Sequence, residues 1–343
     1  MGSEQCACSC SPAASRPVEE LLYTKHRITF SDRLDHFKAR WGVNRMGHIV
    51  TPGFYKLGLP TPESTVVVTA NYTLSFDAVR SSLAGTAAWI LVLDTKGVNV
   101  WCAAGKGTFG TGELIRRIAV TDLARHVSHR KLILPQLGAP GVSAHEVRKY
   151  TGFHVEYGPV RSRDLPEYLK THKATPAMRR VEFTVWDRLV LAPMELVTVA
   201  LPLIAAAVAL YFLGGAVAAL AAVAAVLAGT VLFPALLPWI PTKDFSTKGF
   251  LLGFVVSLPF AAYFAGRPGL FSYAGIASAL VPLLVMPVVT AYLALNFTGS
   301  TTFTSRTGVK KEIFRYIPAL CLIGGLGVIL GIALGIARLT GAT

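Results

Sequence analysis

Residues 65–94 read TVVVTANYTLSFDAVRSSLAGTAAWILVLD. The β-branched run Thr65–Ala70 and the run Trp89–Leu93 lack polar alternation, which marks strands covered on both faces. Ser75–Leu83 between them has helical spacing. The pattern continues outward. Glu113–Val127 carries Leu114, Ile118 and Leu123 on one helical face, and Lys131–Leu134 is a third strand. Ser143–Tyr150 is a helix with Ser143 and Glu146 in capping-box positions, and His154–Tyr157 is a fourth strand. A helix over Leu165–Lys170 and a strand over Arg180–Trp186 follow. Alternating strands and helices predict an α/β fold, a Rossmann-like doubly wound parallel sheet, over residues 21–187. Ligands of such sheets bind outside the carboxyl ends of the strands. Those ends are Thr69–Tyr72, Asp94–Gly112, Pro135–Gly141 and Tyr157–Pro159.

Beyond residue 188 the composition changes. Leu189 to Pro241 is apolar and too long for one crossing of a hydrocarbon core about 30 Å thick, and Gly214-Gly215 offers a turn. Residues 188–343 therefore read as an all-α transmembrane domain of five helices, near 196–213, 216–237, 249–265, 273–295 and 316–337. Lys243 and Lys248 follow the second span, and Arg306, Lys310, Lys311 and Arg315 follow the fourth. The other face offers Arg267 and Arg338. That bias predicts a multi-pass protein of the cytoplasmic (inner) membrane, with its soluble domain in the cytoplasm and its C-terminus outside. The spans lack mid-membrane charge, which argues against a transporter. The hydroxyl-rich loop Asn296–Arg306 reads equally as a solvated turn or as a docking surface for the soluble domain.

Of 343 residues, 52% are hydrophobic and 15% charged, with 33 Lys and Arg against 19 Asp and Glu. No basic cluster is interleaved with aromatics, so the excess reads as membrane topology and no nucleic-acid partner is expected. Residues 1–20 hold no apolar stretch of a secretory signal. They read as a disordered tail with Cys6, Cys8 and Cys10. Those thiols fit soft-metal binding or are incidental, and no disulfide framework is expected.

The longest strand-end segment contains Asn99-Val100-Trp101-Cys102-Ala103-Ala104-Gly105-Lys106-Gly107. Gly105, Gly107 and Gly110 spell a dinucleotide pattern, but they stand ten residues past the strand with no matching acid downstream. Gly105-Lys106 lacks the upstream glycine of a P-loop. A Cys–His hydrolase could pair Cys102 with His126, His129, His145 or His154. Cys102 lies in a loop, one residue past Trp101, with Asn99 as a candidate helix cap and Lys106 one turn on. That setting favours a thiolate, the form that ligates metals.

This segment resembles the cap-helix signature of the HgcA family, the membrane-bound corrinoid proteins of microbial mercury methylation. The likeness extends to Thr69-Ala70-Asn71-Tyr72, to Thr108–Gly112 and to the five-span tail with its Asn296–Ser305 loop. The resemblance implies a bound cobamide, a cobalamin-type corrinoid, with Cys102 as the lower axial ligand to cobalt and as the catalytic residue. It implies Thr69, Asn71, Tyr72, Asn99, Val100, Trp101, Cys102, Ala103, Ala104, Gly105, Lys106 and Gly107 as cofactor-binding residues. Small residues suit close approach of a flat macrocycle. The chain has no Asp-x-His-x-x-Gly motif, which agrees with a cysteine ligand.

The activity implied is that of a methyltransferase passing a methyl group from methyl-Co(III) to Hg(II). Hg(II) is an electrophile and requires a carbanion-like methyl, which a donating axial thiolate favours. Cobalt must then be reduced, so the implied partners are HgcB, a ferredoxin-like protein with two [4Fe–4S] clusters, and a methyl donor of the methyltetrahydrofolate pathway. The alternatives are a methyl-carrier corrinoid protein of one-carbon, acetyl-CoA metabolism, and a membrane corrinoid sensor or transporter.

Overall fold

The computed structural model describes residues 20–266, 272–301 and 304–340. Cys6, Cys8, Cys10 and Arg267 lie outside them. The chain forms two compact units: residues up to Ala39 with Asn44–Arg180, and Arg40–Val43 with Val181 onward.

The first unit opens with β1 (Leu22–Thr24), α1 (Phe30–Arg40) and β2 (Gly53–Leu57). Then come β3 (Val66–Ala70), α2 (Thr73–Ser82), β4 (Ala88–Leu93), α3 (Val100–Lys106), α4 (Thr111–Val120) and α5 (Leu123–His126). β5 (Lys131–Leu134), α6 (Ala144–Thr151), β6 (His154–Tyr157), α7 (Leu165–Thr171) and α8 (Pro176–Arg179) complete it. Six strands form one sheet in the order β1-β2-β4-β3-β5-β6. β3, β4, β5 and β6 pair in parallel, but β2 runs antiparallel to β4. The sheet is therefore mixed and parallel-rich, which corrects the all-parallel expectation.

Strand periodicity sorts the core into two faces. Val66, Val68, Leu91 and Leu93 pack with Leu114, Ile118 and Val147, on the side of α3, α4 and α6. Val67, Ile90 and Val92 pack with Phe76, Val79 and Tyr168, on the side of α2 and α7. β3 and β4 are buried along their whole length.

Two local expectations fail for local reasons. The helix expected over residues 113–127 breaks at Asp122, which adopts a left-handed conformation with φ of 46°. The strand expected over 180–186 is absent. Thr184 accepts from the Asp187 amide, Asp187 accepts from the Thr184 amide, and this capping box starts α9 (Val185–Leu189). Ser143 does cap α6 by accepting from the Glu146 amide.

In the second unit α9 leads into α10 (Ala192–Gly214), and Gly215, with φ of 82°, turns the chain into α11 (Ala216–Leu227). A π-helical turn at Ala228–Leu232 leads to α12 (Phe233–Leu236). α13 (Phe245–Gly266), α14 (Tyr273–Phe297) and α15 (Arg306–Leu339) follow. Among the described residues, five helices are long and apolar enough to cross a membrane. Small residues seat α13 on α14: a Cβ on Gly249 would stand 2.8 Å from the Ala291 Cα, and one on Gly253 2.7 Å from the Pro287 Cα. The hydroxyl-rich loop folds inward, since Thr298 and Thr301 are buried and the Thr304 hydroxyl donates to the Thr298 carbonyl.

α1 joins its unit through charge. Arg80 on α2, 7% exposed, donates to Asp77 Oδ1 at 2.5 Å and to Asp32 Oδ2 at 2.8 Å. It also donates to the carbonyls of Lys25 at 2.7 Å and Arg27 at 2.9 Å, and His36 Nε2 meets Asp77 Oδ2 at 2.7 Å. Burial alone would raise the Asp32 carboxyl. The Thr29 amide and Arg80 outweigh it and hold that carboxyl below its ordinary range. Its contribution is thus present at neutral pH and is lost as pH falls through that lowered value. Arg80→Met leaves two carboxylates without their buried partner and should cost about 3–5 kcal/mol. A urea midpoint that falls for Arg80→Met, and recovers when Asp32→Asn and Asp77→Asn are added, is the expected result.

Candidate functional site

The candidate site is built on the turn between β4 and α3, at the carboxyl end of the parallel strands. Asn71, 2% exposed, follows β3 and holds that turn. Its Oδ1 accepts from the Thr95 amide at 3.0 Å and the Gly97 amide at 3.1 Å. The Thr95 hydroxyl lies 2.8 Å from the same oxygen and 2.7 Å from the Val98 carbonyl, and its one proton serves them in turn. Asn71 Nδ2 donates to Asp94 Oδ1 at 3.3 Å. Lys96 and Gly97 both adopt left-handed conformations, with φ of 59° and 70°. A turn so tight depends on these side-chain bonds.

Glu113 braces the turn from α4. The Asp94 amide donates to Glu113 Oε1 at 2.9 Å, and Arg117, 2% exposed, donates to the same oxygen at 2.8 Å. Burial would raise both carboxyls. Lys96 outweighs it at Asp94, and Arg116, the Asp94 amide and Arg117 outweigh it at Glu113, so both titrate below their ordinary ranges.

α3 starts where Asn99 Oδ1 accepts from the Cys102 amide at 2.9 Å, as its sequence position predicts. It ends at Gly107, left-handed with φ of 82°. Val100, Ala103 and Ala104 face the core and are buried. At 100° per residue the opposite face carries Trp101, Cys102, Gly105 and Lys106. Trp101 and Cys102 are partly exposed, and Gly105 and Lys106 are exposed. A Cβ on Gly105 or Gly107 would meet no atom within 4 Å. Cys102 thus stands in the middle of an outward face with open room beside it.

The loop after α3 is seated by Phe109, fully buried between Gly138 and Gly141. A Cβ on Gly141 would stand 2.1 Å from the Phe109 carbonyl and 3.0 Å from the Ala104 Cα. The Thr111 amide donates to the Gly141 carbonyl and the Ser143 amide to Thr111 Oγ1. Tyr157, whose phenol burial pushes up, donates to the Val142 carbonyl at 2.6 Å. All four strand-end segments are therefore linked: Asn71 to Thr95, Thr111 to Gly141, and the Gln136 amide to the Pro159 carbonyl.

The expected site residues fall into two groups. Asn99, Trp101, Cys102, Gly105, Lys106, Gly107 and the partly exposed Tyr72 reach the surface. Thr69, Asn71, Val100, Ala103 and Ala104 are buried and act on the site from within. Sequence reasoning missed Thr95, Glu113, Arg117 and Phe109. An acid in the first turn of a helix, as Glu113 is, reads as ordinary helix chemistry until its partner just after β4, the Asp94 amide, is known. Of the histidines weighed against Cys102, His126 packs on the rings of Phe54 and Trp89 at 5.5 and 6.0 Å, and His129 Nε2 lies 3.0 Å from the Ser64 carbonyl. His145 and His154 are exposed.

The segment that carries this geometry is similar to a known class. Residues 44–169 match the family described as CO dehydrogenase/acetyl-CoA synthase delta subunit. A relative from Methanopyrus kandleri, acetyl-CoA decarbonylase/synthase complex subunit gamma, is 38% identical over 124 residues, 35% of this chain and 26% of that protein. The subunit of the same name from Archaeoglobus fulgidus is 32% identical over 123 residues, 35% of this chain and 26% of its own length. That from Methanothermobacter thermautotrophicus is 32% identical over 127 residues, 36% and 27% of the two chains. The chain spans about a quarter of the length of these relatives. The matched region contains β2 through β6 and all of α3.

Removing Asn71 Oδ1 should loosen the turn without breaking the sheet. Asn71→Ala leaves buried donors unsatisfied, at about 1–3 kcal/mol each. Hydrogen exchange at Thr95 and Gly97 should speed up at least tenfold while the β3 amides keep their protection. Unchanged exchange at both positions would remove Asn71 from this role.

Proposed function

We propose that this chain is a membrane-anchored corrinoid protein that carries a methyl group, with Cys102 as the lower axial ligand of cobalt. The observation that carries the reading is the outward face of α3, where Cys102 stands beside the open space at Gly105. The residues fit a flat macrocycle: no Cβ crowds Gly105 or Gly107, and the bulkier Val100 turns inward. A cobamide bound there supplies a cobalt that takes up a methyl group and releases it.

The chain's own part is positioning. Asn99 fixes the first turn of α3 and so the direction of the Cys102 side chain. Asn71, Glu113 and Phe109 hold α3 at the strand ends. Lys106, one turn beyond Cys102, places positive charge on the same face. Burial of Ala103 and Ala104 anchors the helix, so that Cys102 meets its metal without reorganisation.

Two acceptors are chemically distinct. The relatives' names support a carrier of acetyl-CoA metabolism, with further subunits as partners. Cys102 itself favours a second reading, in which Hg(II) is the acceptor and substrate. Cys102 sulfur would be a strong donor to a metal that it held, and an electrophilic acceptor would draw on that donation. Reductant and methyl would come from outside: a two-cluster ferredoxin-like protein such as HgcB, and a methyltetrahydrofolate-linked donor. We also propose that the basic loop of Lys243 and the start of α15, with Lys310, Lys311 and Arg315, face the cytoplasm together with the α/β unit.

The full chain, loaded with cobamide and labelled methyl, should give a single equivalent of methylmercury with Hg(II) and then stop. A low-potential ferredoxin and a methyl donor should restore turnover, and Cys102→Ala should cut the first transfer more than tenfold. Label that passes only into acetyl-CoA, with the other subunits of an acetyl-CoA decarbonylase/synthase, establishes the one-carbon carrier. Label that passes to neither acceptor overturns methyl carriage. Reporter fusions at Lys243 should read cytoplasmic, and an external reading there would reverse the topology.

A further inference from the structure

α1 meets its own unit with its charged face and turns its apolar face away. Asp32 and His36 reach Arg80 and Asp77, and Asp35 Oδ1 lies 2.8 Å from His48 Nδ1. Ala39 is the one buried residue of the helix. At 100° per residue, Phe30, Leu34 and Phe37 form a single stripe on the opposite side. They are 81%, 42% and 56% exposed. Exposed Arg33 and Lys38 border that stripe, one on each side. A helix packed for a soluble domain turns its apolar stripe inward. This one is inverted.

We propose that Phe30 and Leu34 of α1 lie in the headgroup–acyl boundary of an anionic bilayer, with Arg33 and Lys38 reaching lipid phosphates. Charge selects lipid over another occupant. Basic residues on both flanks of an aromatic stripe are the pattern of a helix lying in the membrane plane, with long cationic side chains bending toward the headgroups. Exposed Lys25 and Arg27, whose carbonyls are bonded to Arg80, extend the basic rim ahead of the helix. An open groove of about 910 Å³ runs along the same edge, with Tyr23, Ile28, Phe30 and Val50 among its apolar lining and Lys25 and Arg33 among its basic lining. It offers acyl carbons and a phosphate adjacent places. Among the described residues the same chain carries five helices long and apolar enough to cross a bilayer.

Photo-crosslinking tests the proposal. The full chain, with benzoylphenylalanine at position 30 or 34, is reconstituted in phosphatidylcholine vesicles with and without phosphatidylglycerol. Position 150 is the control, since Tyr150 on α6 is 67% exposed. Lipid adducts at 30 and 34 should exceed those at 150 several-fold and should rise with phosphatidylglycerol. Arg33→Gln with Lys38→Gln should lower them several-fold, with the urea midpoint unchanged. Adducts equal at all three positions, or indifferent to phosphatidylglycerol, overturn the proposal. So do peptide adducts in place of lipid, which would assign the stripe to this chain's other segments or to a second copy.

Discussion

The side-chain carbonyl of Asn71 accepts from the amides of Thr95 and Gly97, and the orientation of α3 depends on those bonds. Two consecutive left-handed residues, Lys96 and Gly97, form a turn that no sheet ladder stabilises. A buried side chain at the end of the neighbouring strand therefore supplies the missing acceptor. Asn71 can do so because β3 and β4 are parallel neighbours with Ala70 opposite Leu93, which brings both strand ends to the same level. Glu113 reaches the same turn from α4 by accepting from the Asp94 amide. Sheet register, turn and helix are one assembly, and Cys102 is the residue that it presents.

Legibility in the sequence followed burial. β3 and β4 are legible to within a residue and β5 to its exact limits, because strands covered on both faces leave unbroken apolar runs. β2 was not read. Its Lys56 interrupts the run, and the structure tolerates it by laying the ammonium 5.4 Å from the Tyr23 ring centre and 5.7 Å from that of Trp89. The antiparallel pairing of β2 was therefore invisible, and the sheet was read as wholly parallel. α1 was missed because its face toward the unit is charged, the reverse of the pattern that marks a packed helix. Residues 180–186 were misread because β-branched residues resemble a strand where Thr184 and Asp187 cap a helix.

The site was legible in its surface and illegible in its support. Asn99 announces a helix cap by residue type, and it stands in that role. Thr95 and Phe109 carry no local signature, because Asn71 and Gly138, which they meet, are distant in sequence. In the α/β unit several oxygens surround the buried Arg80 guanidinium. In the membrane unit Glu312 accepts from the Ser246 amide and hydroxyl, and the Tyr316 hydroxyl donates to Asp244. Both α1 and the polar ends of the long helices are thus fixed by ion and hydrogen-bond networks, while apolar packing fills the cores.

The central claim is that α3 holds Cys102 where a corrinoid cobalt takes its lower ligand. X-ray absorption at the cobalt edge of the cobamide-loaded full chain measures that contact without any turnover. The account predicts one sulfur neighbour of cobalt in the native protein, lost in Cys102→Ala and retained in Cys321→Ala. A first shell of nitrogen and oxygen alone in the native protein, or a sulfur neighbour that survives Cys102→Ala, would contradict it.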